Sequence, residues 1–178
     1  MKHIKLSDKE FELSIPSGVI EKAIWRIAEK MDHDLNGKDP LMVCILNGSF
    51  MFAADLMKRL ETPCQVSFVK LASYQGTSTS GTIKELIGLN EEVKGRTVVI
   101  LEDIVDTGIT ISNILKQIEA LGPKEIKVAT MLFKPEACKI PLKLDYIGLE
   151  IPNDFIVGYG LDYNGYGRNL RDIYTVTH

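Results

Sequence analysis

A run of apolar residues that ends in acidic side chains constrains the fold of this chain more than any other feature. Residues 97–101 (TVVIL) favour a β-strand, and Glu102, Asp103 and Asp106 follow closely. A continuous apolar run is typical of a strand that is buried on both faces, and the apolar period from 111 to 121 predicts a helix after it. We therefore expect the three acids at the carboxyl end of a central strand.

The turn between this strand and the helix has the composition of a site for a sugar phosphate. In open α/β sheets, ligands bind beyond the carboxyl ends of the strands, where a helix N-terminus offers unpaired N–H groups. Gly108 allows the backbone to approach a phosphate, and Thr107 and Thr110 add uncharged donors. Glu102 and Asp103 repel a phosphate, so we expect them to bind sugar hydroxyls or a divalent metal. The structural alternative is an acidic turn that only caps the helix.

The segment from 98 to 108 (VVILEDIVDTG) resembles the phosphoribosyl pyrophosphate (PRPP) motif of type I phosphoribosyltransferases. Further matches, from Ile15 onward, resemble the hypoxanthine-guanine phosphoribosyltransferases. The resemblance implies a purine-salvage enzyme that joins hypoxanthine, and guanine as well, to PRPP and releases pyrophosphate. It also implies Mg²⁺ as the cofactor and a homodimer or homotetramer.

The resemblance implies a role for each residue of the motif. Asp106 would transfer the proton at the imidazole nitrogen of the purine, as a general acid or base. Glu102 and Asp103 would hold the ribose hydroxyls, directly or through Mg²⁺. The 5′-phosphate would lie on the loop that begins at Asp106 and continues through Thr107, Gly108, Ile109 and Thr110.

Purine recognition is implied at two later segments. Lys134 follows a predicted strand, 125–133, and matches the lysine that donates to the exocyclic oxygen of a 6-oxopurine. On pattern alone, such a lysine is a solvated side chain. By the same resemblance, Phe155 stacks on the purine, Ile156 reads the base edge with its backbone, and Asp162 serves the magnesium–pyrophosphate unit.

Pyrophosphate binding and a lid are implied elsewhere. Asn47 and Gly48 follow a predicted strand, 41–46, where the family often carries a basic residue in place of Asn47. The resemblance also implies a cis peptide bond between Leu46 and Asn47, and it makes Arg168 a second pyrophosphate ligand. Ser73 and Tyr74 match a pair that begins the family's mobile lid, whereas the pattern alone predicts a polar hairpin from 73 to 82.

Length and composition set the class of protein. The 178 residues are expected to form a single phosphoribosyltransferase domain, 1–178, with a mostly parallel twisted α/β sheet flanked by helices. The chain ends are expected to form a small hood over this sheet. A net charge of -3 argues against a nucleic-acid partner, and there is no apolar run of membrane length. Three widely spaced cysteines predict free thiols and a cytoplasmic location.

Three alternatives remain open from the sequence. A PRPP-sensing regulator could keep the phosphate loop without catalysis and bind RNA or DNA. An aspartic protease also carries the triplet that begins at Asp106, but it requires a β-rich setting and either a second copy of the triplet or a symmetric dimer. A xanthine- or guanine-preferring relative is the nearest alternative among enzymes.

Overall fold

The computed structural model describes residues 3–75 and 82–177 of the chain. The tip of the predicted lid, 76–81, lies outside the described residues, and Ser73 and Tyr74 are described by their backbone alone. Within the described ranges, three helices connect or flank the strands: α1 (Ser17–Leu35), α2 (Phe50–Met57) and α3 (Ile109–Glu119). Among the described residues, none of these helices is long and apolar enough to cross a bilayer.

A six-stranded sheet forms the centre of the molecule. Its order is β5-β4-β3-β6-β7-β8, and all neighbouring pairs are parallel except β4 and β5. Helix α3 packs on one face of the sheet, and α1 and α2 pack on the other. The predicted mostly parallel α/β sheet is therefore confirmed. The strands are β3 (Leu41–Ile45), β4 (Gln65–Gln75), β5 (Thr82–Ile87), β6 (Thr97–Val105), β7 (Glu125–Phe133) and β8 (Tyr146–Glu150).

A small antiparallel sheet forms the hood and joins the two ends of the chain. Its order is β1-β2-β10-β9, and its own core consists of Phe11, Val157 and Tyr174. The predicted hood from the chain ends is confirmed. The strands are β1 (His3–Leu6), β2 (Lys9–Ile15), β9 (Ile156–Val157) and β10 (Ile173–Val176).

Several element boundaries differ from the sequence prediction. Strand β6 continues to Val105, so Glu102 and Asp103 lie within the last part of the strand and not beyond it. Helix α1 continues to Leu35, whose side chain is fully buried and extends the apolar stripe of the helix. Strand β5 begins at Thr82, the last residue of the predicted polar hairpin, where its backbone pairs with Gln75 of β4.

Candidate active site

Three parallel neighbours, β3, β6 and β7, bring the predicted site residues to one edge of the sheet. Asn47 and Gly48 follow β3, Asp106 follows β6, and Lys134 follows β7. The amide of Lys134 donates to the carbonyl of Val105 at 3.0 Å, which ties the ends of β6 and β7 together. The carboxyl edge of a parallel sheet is the usual position of a ligand site in this architecture.

The loop that follows β6 encloses a cavity of about 230 Å³. Gly108 adopts φ +85°, a left-handed conformation that suits glycine, and α3 begins at the next residue. Ile109 is exposed, and its amide donates to the Thr107 hydroxyl at 3.4 Å. The helix dipole therefore directs its positive end toward the cavity. The lining residues are Glu102, Asp103, Ile104, Val105, Asp106, Thr107, Gly108, Thr110 and Ile111.

Two neighbouring carboxyl groups, Glu102 and Asp103, form an acidic pair at the base of this cavity. Glu102 is buried, and burial together with the charge of Asp103 raises the pKa of its carboxyl group well above the ordinary value. Burial also raises the pKa of Asp103, although the amide of Ile104 and the charge of Arg168 oppose this shift. A bound cation or a set of hydroxyl donors would stabilise the ionised pair.

The acidic pair lies in close contact with the loop after β3. A Cβ atom added at Gly48 would overlap the carboxylate of Asp103, so only glycine leaves room for that side chain. The peptide bond between Leu46 and Asn47 is cis, as the family resemblance implied. The buried Ser49 hydroxyl, which the sequence pattern did not single out, has no hydrogen-bond partner within the described part of the chain. Gly48 thus lies beside Asp103.

Lys134 and Asp106 form an ion pair at the mouth of the site. The ammonium nitrogen of Lys134 lies 3.2 Å from Oδ2 of Asp106, and the lysine side chain is only 8% exposed. Asp106 is 46% exposed. The interpretation of Lys134 as a solvated side chain is therefore wrong, because the side chain is buried and its ammonium group is paired with Asp106. A cationic donor and a proton acceptor stand side by side.

The hood contributes an aromatic group and an arginine. Phe155 is 46% exposed and packs against Phe11 and the edge of Tyr163, with ring centroids 6.3 and 5.7 Å away. Arg168 donates to the carbonyl of Gly160 at 2.7 Å and pairs with Asp162 at 2.8 Å. Ile156 is buried in β9.

The three carboxylates predicted to bind metal do not form one cluster. No group of three or more His, Cys, Asp or Glu side chains that could hold a metal ion occurs in residues 3–75 and 82–177. Asp162 is engaged by Arg168 and also accepts from the amide of Gly165 at 2.8 Å. Glu102 and Asp103 have the chemistry of a partial site for Mg²⁺, whose remaining ligands would be water and the oxygens of a bound phosphate compound.

One functional contact was absent from the sequence prediction. Gly160 lies against Gly48, since a Cβ atom added at Gly160 would be 3.2 Å from the carbonyl carbon of Gly48 and closer to its oxygen. The segment after β9 therefore touches the loop after β3 through backbone atoms. The pattern Gly158-Tyr159-Gly160 indicates a close backbone approach, but the local sequence does not show that Gly48 is the residue approached. The predicted lid residues Ser73 and Tyr74 lie in β4, where their backbones pair with Lys84 and Ile83.

Comparison with known proteins shows relatives over most of the chain. The family model of the phosphoribosyl transferase domain matches residues 17–164. The hypoxanthine-guanine phosphoribosyltransferase of Streptococcus pneumoniae is 39% identical over 152 residues, 85% of this chain and 84% of that protein. The protein of the same name from Aquifex aeolicus is 34% identical over 178 residues, 99% of each chain.

Solved structures agree with these sequence relatives. A hypoxanthine-guanine phosphoribosyltransferase from Bacillus anthracis has a TM-score of 0.83 and 30% identity, covering 94% of this chain and 97% of that chain. A hypoxanthine phosphoribosyltransferase from Staphylococcus aureus has a TM-score of 0.83 and 33% identity, with coverage of 93% and 91%. The chain belongs to the phosphoribosyl transferase domain family and, within it, to the hypoxanthine-guanine phosphoribosyltransferases.

Proposed function

We propose that this chain transfers the phosphoribosyl group of PRPP to hypoxanthine or guanine in purine salvage, with release of pyrophosphate. The observation that carries the proposal is the ion pair of Lys134 and Asp106, with 3.2 Å between their charged atoms. In a 6-oxopurine, the exocyclic oxygen and the nearby imidazole nitrogen lie on one edge of the base. A donor and a proton acceptor at this spacing match that edge.

Base selection follows from the chemistry of Lys134. An ammonium group donates only, so it favours the carbonyl oxygen of hypoxanthine or guanine over the amino group of adenine. Because Lys134 is buried, an amino group placed against it would leave both donors without an acceptor. The exposed ring of Phe155 offers a surface on which the base can stack.

Asp106 is the group that accepts the proton. As the glycosidic bond forms, the purine loses a proton from its imidazole ring, and Asp106 takes that proton as general base. Lys134 turns from Asp106 to the exocyclic oxygen when the purine binds, which leaves the Asp106 carboxylate free to accept from the imidazole nitrogen.

The remaining residues hold PRPP. Glu102 and Asp103 accept from the ribose hydroxyls, and the amides and hydroxyls of 107–110 bind the 5′-phosphate at the start of α3. The backbone amides of Asn47 and Gly48, together with Arg168, donate to the pyrophosphate. Mg²⁺, when bound with PRPP, neutralises the charge that develops on the leaving pyrophosphate. We place Asp162 in the same unit through its contact with Arg168.

Three broader properties belong to the same proposal. We propose a single domain, 1–178, and a homodimer or homotetramer, as the family resemblance implies. Cys44 is buried and Cys64 and Cys138 are partly buried, and all three are free thiols. Free thiols support a reducing, cytoplasmic location.

An ultraviolet assay with PRPP and Mg²⁺ tests this function. Hypoxanthine, guanine, xanthine, adenine and uracil are offered separately, and a parallel series contains a chelator in place of Mg²⁺. We expect conversion of hypoxanthine and guanine, none of adenine or uracil, and loss of turnover with the chelator. Conversion of adenine would contradict the base site, and PRPP binding without turnover of any base would favour the regulator hypothesis.

A further inference from the structure

The turn from Gly158 to Leu161 has a side chain at a position that favours glycine. Tyr159 adopts φ +49° and Gly160 adopts φ +96°, and the turn is closed by hydrogen bonds between Gly158 and Leu161 at 3.0 and 3.1 Å. Side chains are rare in left-handed conformations, and aromatic ones especially so. A tyrosine in place of a third consecutive glycine indicates that its side chain has a role.

The side chain of Tyr159 reaches away from the turn to helix α2. It is 5% exposed, and its hydroxyl donates to Oδ2 of Asp55 at 2.7 Å. Burial and this hydrogen bond both raise the pKa of the phenol, so the hydroxyl keeps its proton and remains a donor. Asp55 also pairs with Lys58 at 2.6 Å, which fixes the acceptor on the helix.

Both ends of this hydrogen bond lead to the proposed pyrophosphate site. Helix α2 begins two residues after Gly48, so Asp55 belongs to the element that follows the loop directly. On the other side, Gly160 lies against the Gly48 backbone and accepts from Arg168 at 2.7 Å. One turn therefore contacts both Gly48 and Arg168.

We propose that Tyr159 is a positioning residue, whose hydrogen bond to Asp55 holds the 158–161 turn against Gly48 and fixes the spacing between Gly48 and Arg168. This inference rests on the proposed use of PRPP, because the spacing matters only if the two residues bind one pyrophosphate group. Small misplacements at such a site reduce transition-state stabilisation strongly. Loss of the Tyr159 hydroxyl should therefore weaken the binding of PRPP and leave the binding of the purine nearly unchanged.

A second buried tyrosine provides a matched control. Tyr146 is 2% exposed, and its hydroxyl donates to Oδ2 of Asp34 at 3.1 Å, where it joins β8 to α1. Neither Tyr146 nor Asp34 contacts the loop after β3 or the 158–161 turn in the hydrogen bonds described for them. Tyr146→Phe removes the same chemical group from the same kind of environment.

The experiment compares Tyr159→Phe and Tyr146→Phe with the unaltered protein. Calorimetry gives the Kd of PRPP with Mg²⁺, steady-state kinetics give KM and kcat, and thermal melting gives Tm. We expect Tyr159→Phe to raise the Kd and KM for PRPP about tenfold, the change expected for one lost hydrogen bond to a charged group. The KM for hypoxanthine should change less than about twofold. Tyr146→Phe should lower Tm without changing the Kd or the KM for PRPP.

Two Asp55 variants keep the proposal testable if Tyr159→Phe does not fold. Asp55→Asn retains an oxygen acceptor and should bind PRPP more tightly than Asp55→Ala, which removes it. Equal PRPP constants in Asp55→Asn and Asp55→Ala, or a PRPP loss that is the same in Tyr146→Phe and Tyr159→Phe, would overturn the positioning role. Failure of the unaltered protein to bind PRPP would instead overturn the proposed function itself.

Discussion

Replacing Gly48 with alanine tests how closely the loop after β3 and the acidic pair depend on each other. The backbone of Gly48 is not in the left-handed region, so alanine is compatible with its conformation. The added Cβ would lie 2.5 Å from Cγ of Asp103, whereas ordinary contact begins at 3.4 Å. Oδ2 of Asp103 lies closer still, so the Asp103 carboxyl group must retreat by at least about 0.9 Å.

The expected cost follows from that displacement. A misplacement of about 1 Å at a reacting centre reduces rate by roughly 10²-fold. Moving the carboxylate also strains its 2.8 Å hydrogen bond with the amide of Ile104. We expect kcat/KM for PRPP to fall about 10²-fold in Gly48→Ala, measured with hypoxanthine in the ultraviolet assay.

Gly18 supplies the matched control for this substitution. It lies in α1, and a Cβ added there meets no atom within 4 Å. Gly18→Ala should leave kcat/KM unchanged and should raise the free energy of unfolding by up to about 1 kcal/mol, because alanine favours a helix. A Gly48→Ala protein that folds and keeps kcat/KM within about threefold of the unaltered protein would refute the geometric reasoning.

Three further predictions address the site. Asp106→Asn should lower kcat by roughly 10²–10⁴-fold while the calorimetric Kd for PRPP stays nearly the same, and unchanged turnover would remove Asp106 as the base. Lys134→Gln should reduce the preference for hypoxanthine over adenine by about tenfold or more, and an unaltered ratio of kcat/KM values would contradict its role. Burial and Asp103 raise the pKa of Glu102 above 4.5, so the folded state binds the proton more tightly than the unfolded state and stability falls as pH rises from 4.5 through the raised value. Urea unfolding in the presence of a chelator gives the free energy of unfolding at about pH 5 and pH 8. The decrease in this free energy between the two pH values should be smaller for Glu102→Gln than for the unaltered protein, and an identical decrease in both proteins would count against the raised pKa of Glu102.

The central part of the fold was readable because its signals are local. The apolar run at 97–101 and the apolar period after Gly108 identified β6 and α3, and each prediction used one continuous segment. The C-terminal end of β6 was predicted less exactly, because acidic residues remain in a strand when a neighbouring strand pairs with them. Glu102 pairs in register with Thr130 of β7.

The hood and the glycine contact were harder to predict because they depend on residues distant in sequence. Strand β9 has two residues and β10 has four, too few for a periodic pattern. Gly160 was not recognised as a neighbour of Gly48, since no local pattern relates them. Lys134 and Asp106 likewise lie 28 residues apart in the sequence, and the pairing of β6 with β7 brings them together.

The most direct test of the proposed function is a crystal structure of the protein with inosine 5′-monophosphate. We expect the 5′-phosphate on the amides and hydroxyls of residues 107–110 and the ribose hydroxyls at Glu102 and Asp103. Lys134 should leave Asp106 and donate to the exocyclic oxygen of the base, within ordinary hydrogen-bond distance. A nucleotide bound with its phosphate away from the start of α3, or with Lys134 still paired to Asp106, would contradict the proposed site.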